Sequence, residues 1–471
     1  MKSTNQQALK LGTKSDAVRT KLINRTTKCE ALAIRGQAAL AQEVVQTVDL
    51  PHPIYIDSAE GPYLTDLDGN RYIDLTGGFG PNVLGNKPKP IEDALASQIK
   101  KGWHYGIPGH GQAHLAELIK ESSPSVDEVM FCNSGSEATM FAFRAARAVT
   151  GKRVIALFDG SYHGIHDYAL LRADSKSERS TPRSLTLGSG IPNEVSQDLM
   201  MMLPYRDKNA YELIRNHKND LAMVVIEPVQ SSNPRLDSQE FLEGLRDVCT
   251  ECDVLLMFDE VITGFRIEYG GCQEYYSIKP DVITYGKAVG GGMPIGVVAG
   301  PKKIMNSFSG AEDTPAIFAG GTFSGNPLTM AGGIGALEYL KENKEHIYPY
   351  LHEQGDRLAK EINEFCSMSK IPAKLMNAGS MMHLIFGDND IKSSRDIERR
   401  HYHLENEFYL HLLGHNVIVP GIHLAFLSYA HTPEVVDQVI SAFKNTFEDL
   451  RSDGYISVSY THLTLPTKRI V

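Results

Sequence analysis

Long apolar runs are missing from this chain. None reaches the about 20 residues that a helix needs to cross a bilayer, and no apolar signal-peptide core follows the start, so neither membrane insertion nor secretion is expected. Cysteine is scarce: six in 471 residues cannot form a disulfide framework. Basic charge is short as well, with 47 Lys and Arg against 57 Asp and Glu and a net charge of -10. A nucleic-acid binder needs a basic face, so that class is set aside. No G-x-G-x-x-G follows the first strand, which argues against a dinucleotide site. Asp66-x-Asp68 opens like a calcium loop, yet position 6 is Arg71 where glycine is needed and position 12 is Gly77 where glutamate is needed. His104, His110 and His114 lack a carboxylate or cysteine at ligand spacing, so no metal site is expected there.

What is present is an ordinary soluble composition, 42% hydrophobic and 22% charged, in a chain long enough for two domains. The first 30 residues carry seven basic side chains against Asp16 and Glu30, a bias faintly like a transit peptide. A frayed, solvated N-terminus and a cytoplasmic location are the expectation. Leu64 to Leu75 reads as a hairpin turning at Asp68-Gly69. From about residue 112, helix and strand alternate: strands at Glu128–Cys132, Arg153–Phe158, Leu221–Ile226, Val254–Phe258, Val282–Tyr285 and Ile295–Ala299, and a helix at Glu137–Val149. This implies an α/β fold with a mostly parallel sheet. Cys249 and Cys252 continue the apolar face of Phe241, Leu242, Leu245 and Val248 behind an Asp237-x-x-Glu240 cap, and read as core thiols. Asn326–Leu340 reads as a long helix. Beyond it lies a smaller α+β domain with strands at Met381–Phe386 and His423–Ser428 and a last helix at Pro433–Leu450. The expected division is 1–75 (N-terminal part of the small domain), 76–330 (large domain), 331–455 (rest of the small domain) and 456–471, a disordered or non-native tail.

The chemistry gathers at strand ends. Lys287 follows an apolar strand and precedes Gly290-Gly291-Gly292. Burial there lowers a lysine's pKa and favours the neutral amine, the form that attacks a carbonyl to make a Schiff base. Asp259 ends an earlier strand, so a carboxylate and an amine share the edge at which open parallel sheets bind ligands. Ser134-Gly135-Ser136 joins a strand to a helix N-terminus and can cradle phosphate, or can be a plain N-cap. Tyr162, between Gly160 and Gly164, offers a ring that can stack on a flat heteroaromatic group. Glu227 and Gln230 end a further strand, and Thr322 lies in a second glycine-rich loop before a helix.

The ordered set SGSEA, DGSYHG, EPVQ, DEVITGFR, YGKAVGGGMPIG and GGTFSGNP resembles the class III (fold type I) pyridoxal-phosphate aminotransferases, and within them most closely the glutamate-1-semialdehyde aminomutase branch. The resemblance spans roughly residues 50–450. It implies pyridoxal 5'-phosphate as cofactor, with Lys287 as the aldimine lysine and acid/base and Asp259 paired with the pyridinium nitrogen. It further implies Ser134, Gly135 and Ser136 around the phosphate, Tyr162 and Val261 on opposite ring faces, Glu227 and Gln230 beside the ring, with Gln230 on its oxygen, and Thr322 reaching the partner subunit's phosphate in a homodimer with composite sites. Substrates would be an amine or amino acid and a keto or aldehyde acceptor.

The substrate side departs from the mutase pattern. Asp49 to Ile56 lacks the carboxylate-binding arginine of that branch, Gln230 is aminotransferase-like, and His423 stands where the mutases carry a glutamate. Intermolecular transamination is therefore the leading reading and the mutase reaction the alternative. Arg266 could grip a substrate carboxylate or sit in a buried ion pair.

Overall fold

The computed structural model describes residues 12–41, 50–310, 316–387, 391–397, 402–421 and 424–456. Its centre is a seven-stranded sheet. The strands are β1 (Glu128–Cys132), β2 (Val154–Phe158), β3 (Met200–Leu203), β4 (Leu221–Ile226), β5 (Leu255–Glu260), β6 (Val282–Gly286) and β7 (Gly296–Gly300). The spatial order is β1-β7-β6-β5-β4-β2-β3, and β7 alone runs against the others. The mostly parallel sheet expected from the alternation is thus present. Strand β3, a run of three methionines and a leucine closed by Pro204, lacks the alternation and β-branched residues that mark a strand.

Both faces are dry, as a parallel sheet requires. Val224, Ile226, Leu256 and Phe258 point into one cluster with Phe241, Leu242, Leu245 and Cys249 of helix α2 (Gln239–Glu251). Met223, Val225 and Met257 point the other way, against Phe141, Ala142 and Ala145 of helix α1 (Gly135–Thr150). Cys249 and Cys252 are core thiols as expected. The cap in front of them is not: Asp237 is taken by Arg206 and Arg235, and Ser238 is the N-cap residue.

Helix α3 (Pro327–Met368) is 42 residues long and outruns the expected Asn326–Leu340. Its interior glycines are contact points. A Cβ on Gly333 would lie 2.6 Å from the carbonyl oxygen of Val289, and one on Gly335 would lie 2.9 Å from that of Pro90. Beyond α3, Ala373–Ala378 and Met381–Phe386 pair antiparallel, and Ala425–Phe426 adds a third strand. Tyr63–Asp66 and Arg71–Asp74 form the expected hairpin, with Asp66 accepting from the backbone N–H groups of Asp68 and Asn70. Val417–Ile418 joins that hairpin in parallel beside Ile73 and Asp74, so chain segments far apart in sequence share one sheet.

Two expectations about the ends need correction. Residues 13–37 are not frayed: Thr13–Arg25 and Thr27–Gln37 are helices. Asp453 receives the Lys14 and Ser15 N–H groups, and Arg19 pairs with Glu407. Ile456, assigned to the tail, is buried among Phe443, Phe447 and Leu450; residues 457–471 lie outside the described residues, as does His423. Among the described residues no helix is long and apolar enough to cross a membrane. The histidines at 104, 110 and 114 belong to no cluster of three metal-ligating side chains among those residues.

Candidate active site

Strand alternation aims the carboxylate. Since Leu256 and Phe258 face α2, Met257 and Asp259 face α1, and Asp259 is carried toward the turn at which that helix begins. Thr284, beside it in register on β6, donates its hydroxyl to Oδ1 of Asp259 at 3.2 Å, and the Val261 N–H donates to the same oxygen at 3.1 Å. His163 Nδ1 meets the other oxygen at 2.7 Å, both side chains being almost wholly buried. Glu260, the next residue, points to the opposite face and is spent on structure: it accepts from the N–H groups of Cys272 and Gln273 and from Thr263. Burial pushes Glu260 up to about 7.

At the start of α1, Ser134 caps by accepting from the Glu137 N–H at 3.1 Å, and Glu137 accepts from the Asn133 N–H at 2.5 Å. The first-turn N–H groups have no acceptor inside a helix and so favour an anion. Gly135 is required by close approach: a Cβ there would lie 2.8 Å from Val261 Cγ1. Ser136 Oγ accepts from the Ile165 N–H at 3.1 Å, tying the turn to the loop after β2. That loop holds Tyr162, whose backbone N–H donates to Glu227 Oε2 at 3.1 Å while its side chain stays about half exposed. Burial pushes Glu227 up to about 7, with His163 opposing.

Gln230 is fully buried at the end of the segment after β4. Its amide nitrogen donates to the Asp159 carbonyl at 2.7 Å and reaches Ser161 Oγ at 3.2 Å. Its oxygen, like His163 Nε2, is buried without a partner. Both are polar atoms waiting for one.

Lys287 directly follows β6 with φ 50°, a left-handed conformation that a side chain adopts at a cost of about 1–2 kcal/mol. Such strain persists only where the surroundings impose it. The lysine stem packs against Gly80, where a Cβ would lie 3.3 Å from its Cδ. Burial lowers the amine to about 8, against the pull of Glu227 and Asp259. It is therefore a substantial source of neutral amine at ordinary pH.

Lys287, Asp259, Glu227, Gln230, Val261, Tyr162 and the Ser134–Ser136 turn are thus brought to one edge of the sheet. Thr322 stands apart. It is exposed beside His104 and Tyr105, although its loop touches Asn133 through Ser324 Oγ at 3.3 Å. Sequence reasoning passed over His163, whose signal was its place next to Tyr162 in the same strand-end loop. It also missed Arg395, which pairs with Asp159 and holds Ser394 against Gly160. No local motif marks that segment. Arg266 is fully buried as expected, but not in an ion pair: both its terminal nitrogens bond to uncharged protein oxygens.

The donor set fits pyridoxal phosphate. An anion-binding helix start, a buried carboxylate, an amine whose pKa burial lowers and two unpartnered polar atoms match a phosphate, a ring nitrogen, an aldehyde and ring substituents in turn. Residues 44–447 match the profile of the family described as aminotransferase class-III. A glutamate-1-semialdehyde 2,1-aminomutase of Hyperthermus butylicus is 38% identical over 408 residues, covering 85% of this chain and 93% of that one. An omega-transaminase from Sphaerobacter thermophilus superposes with a TM-score of 0.85 at 29% identity, over 91% of this chain and 99% of the other. A transaminase with PLP bound gives 0.81 at 25% identity, over 91% and 99%.

Proposed function

This chain belongs to the class III aminotransferase family of pyridoxal-phosphate enzymes, and on that premise we propose that it moves an amino group from an amino acid or amine to a separate keto or aldehyde acceptor. The observation that carries the chemistry is the buried Lys287 amine, lowered to about 8, at the same sheet edge as Asp259. Bound pyridoxal phosphate supplies an aldehyde and an electron-withdrawing ring. Lys287 holds it covalently and, once displaced by substrate, takes and returns the proton at the substrate's α-carbon; a positioned base of this kind typically gives ~10²–10⁴-fold. Asp259, steadied by His163, Thr284 and the Val261 N–H, keeps a proton on the ring nitrogen. When the cofactor is bound, the Ser134–Ser136 turn would hold its phosphate, Gln230 Oε1 and Glu227 would serve the ring's substituents, and Tyr162 and Val261 would hold the ring. Borohydride reduction of the holoenzyme followed by peptide mapping should place the pyridoxyl label on Lys287; label on another lysine would sink the assignment.

Transfer between two substrates is favoured by the segment leading to the strand Ile56–Glu60. Leu50 to Ile56 carries no arginine, and Leu50 and Ile54 pack on Tyr72 and Leu410. A site without that bidentate clamp releases its keto product between half-reactions. The mutase reading, conversion of glutamate-1-semialdehyde to 5-aminolevulinate, is supported by relatives of that name at 36–38% identity. Amine donor alone should convert the cofactor to its amine form and leave free keto product. Efficient 5-aminolevulinate formation with no added acceptor would establish the mutase instead.

The same reading includes a homodimer in which Thr322 serves the other subunit's phosphate. Supporting it, Trp103, Ile107, Phe318 and Phe323 stand exposed around the Thr322 loop, at 63%, 75%, 93% and 59%. A monomer has little reason to leave such a set in water. Mixing inactive Lys287→Ala and Thr322→Ala subunits should restore activity in the heterodimer that keeps one intact site; an active monomer would exclude the arrangement.

A further inference from the structure

Arg266 is the largest fully buried side chain among the described residues, 1% exposed. A guanidinium so deep is costly unless a carboxylate meets it; none does here, and burial lowers Arg266 from 12.5 to about 9 against the pull of Tyr348. Instead Nη1 donates to Ser380 Oγ at 2.9 Å and to the Leu427 carbonyl at 3.1 Å, Nη2 donates to the Gly80 carbonyl at 2.7 Å, and the plane lies 4.9 Å from the centre of the Phe426 ring. These partners engage both terminal nitrogens, leave Nε buried without one, and do not cancel the charge.

The same atoms wrap the lysine. A Cβ on Gly80 would touch Lys287 Cδ at 3.3 Å and Phe426 Cζ at 3.4 Å, so Arg266, Gly80, Phe426 and the lysine stem form one cluster. Backbone strain converges here as well. Phe79 (φ 65°), Phe265 (φ 58°) and Lys287 (φ 50°) are all left-handed non-glycine residues, and each is, or directly precedes, a member of the cluster.

We propose that Arg266 is a positioning residue for Lys287: it pins the Gly80 turn under the lysine's methylenes, and its uncancelled positive charge disfavours a second one at the lysine nitrogen. The charges that face Lys287 are Glu227 and Asp259, which favour its protonated form, and Arg266, which opposes it. Asp259 is partly turned to His163, and Glu227 is itself pushed up to about 7 by burial. The inference rests on Lys287 being the reacting lysine, but its first test needs neither cofactor nor substrate.

In the full-length, cofactor-free chain, competitive acetylation across pH with peptide mapping reads the Lys287 amine directly. Wild type should titrate near 8; a midpoint in the ordinary lysine range, about 10.4, would overturn the proposal without any variant. Arg266→Gln, which removes the charge, should raise the midpoint by a few tenths of a pH unit, burial keeping most of the lowering. Arg266→Lys, which keeps it, should stay near wild type. A folded Arg266→Gln chain with an unchanged midpoint, or an Arg266→Lys chain shifted as far as the glutamine variant, would refute the charge argument. Should the glutamine variant fail to fold, Arg266→Met, which also removes the charge, takes its place: a raised midpoint supports the proposal and an unchanged one overturns it. In holoenzyme the pH midpoint of the cofactor's visible band should follow the same order, separating this role from a loss of cofactor binding, which would abolish the band.

Discussion

Asp259 and Glu260 are adjacent buried carboxylates, yet one faces the site and the other caps a helix start. The difference is strand parity alone. Replacing Asp259 with alanine should leave a chain that still takes up cofactor but turns over at least ~10²-fold more slowly, because the ring nitrogen loses its charged partner; near wild-type turnover would refute the role. His163→Phe should cost less, about tenfold in kcat with KM little changed, since Asp259 keeps its bonds from Thr284 and the Val261 N–H. Steady-state kinetics separates the two. Lys287 and Asp259 were legible as residues because rare chemistry sat at predictable strand ends. His163 was not, since a histidine between a tyrosine and a glycine has many uses and only the fold brings it to a carboxylate. Arg266 was misjudged for a related reason: sequence shows a charge but not the carbonyl oxygens that can satisfy it.

At the scale of elements, the alternating strands and the start of α1 were readable from period and capping residues, while the length of α3 was not. Gly332, Gly333, Gly335 and Pro349 inside it are residues that ordinarily mark an end. Here the glycines let other backbone approach, and that is a tertiary fact. Gly333→Ala, which on an exposed helix would stabilise by up to ~1 kcal/mol, should therefore destabilise this protein by about 1–3 kcal/mol, measured as a lower urea midpoint with unchanged slope. No loss of stability would mean that the Val289 carbonyl can retreat from its 2.6 Å overlap.

Across the whole molecule, buried histidines shape the response to acid. His431 accepts from the Ser428 N–H at Nδ1, and its Nε2–H donates to the Asp74 carbonyl, so it is held neutral where the C-terminal segment meets the hairpin. Burial lowers it from 6.5 to about 4. Below 6.5 the unfolded chain takes up a proton that the folded chain refuses, so this contribution is complete above 6.5 and drains away as pH falls toward 4, by up to ~3 kcal/mol. Glu227 and Glu260, raised to about 7, act in the opposite sense and are lost as pH rises through that value. The stability gap between wild type and His431→Asn should therefore be widest at neutral pH and shrink toward pH 4; a constant gap would show that His431 does not titrate with unfolding.

The parallel pairing of Val417–Ile418 with Arg71–Asp74 also sets a timetable for synthesis. The hairpin leaves the ribosome early, but its neighbour is translated only after the whole central sheet, at roughly 5–20 residues per second tens of seconds later. Throughout that interval Arg71–Asp74 shows unpaired backbone, with Tyr72 and Ile73 beside it, an invitation to foreign strands. Nascent chains that stall before Val417 should accordingly be the ones that chaperones hold and proteases clear, however well the cofactor-binding half has already folded.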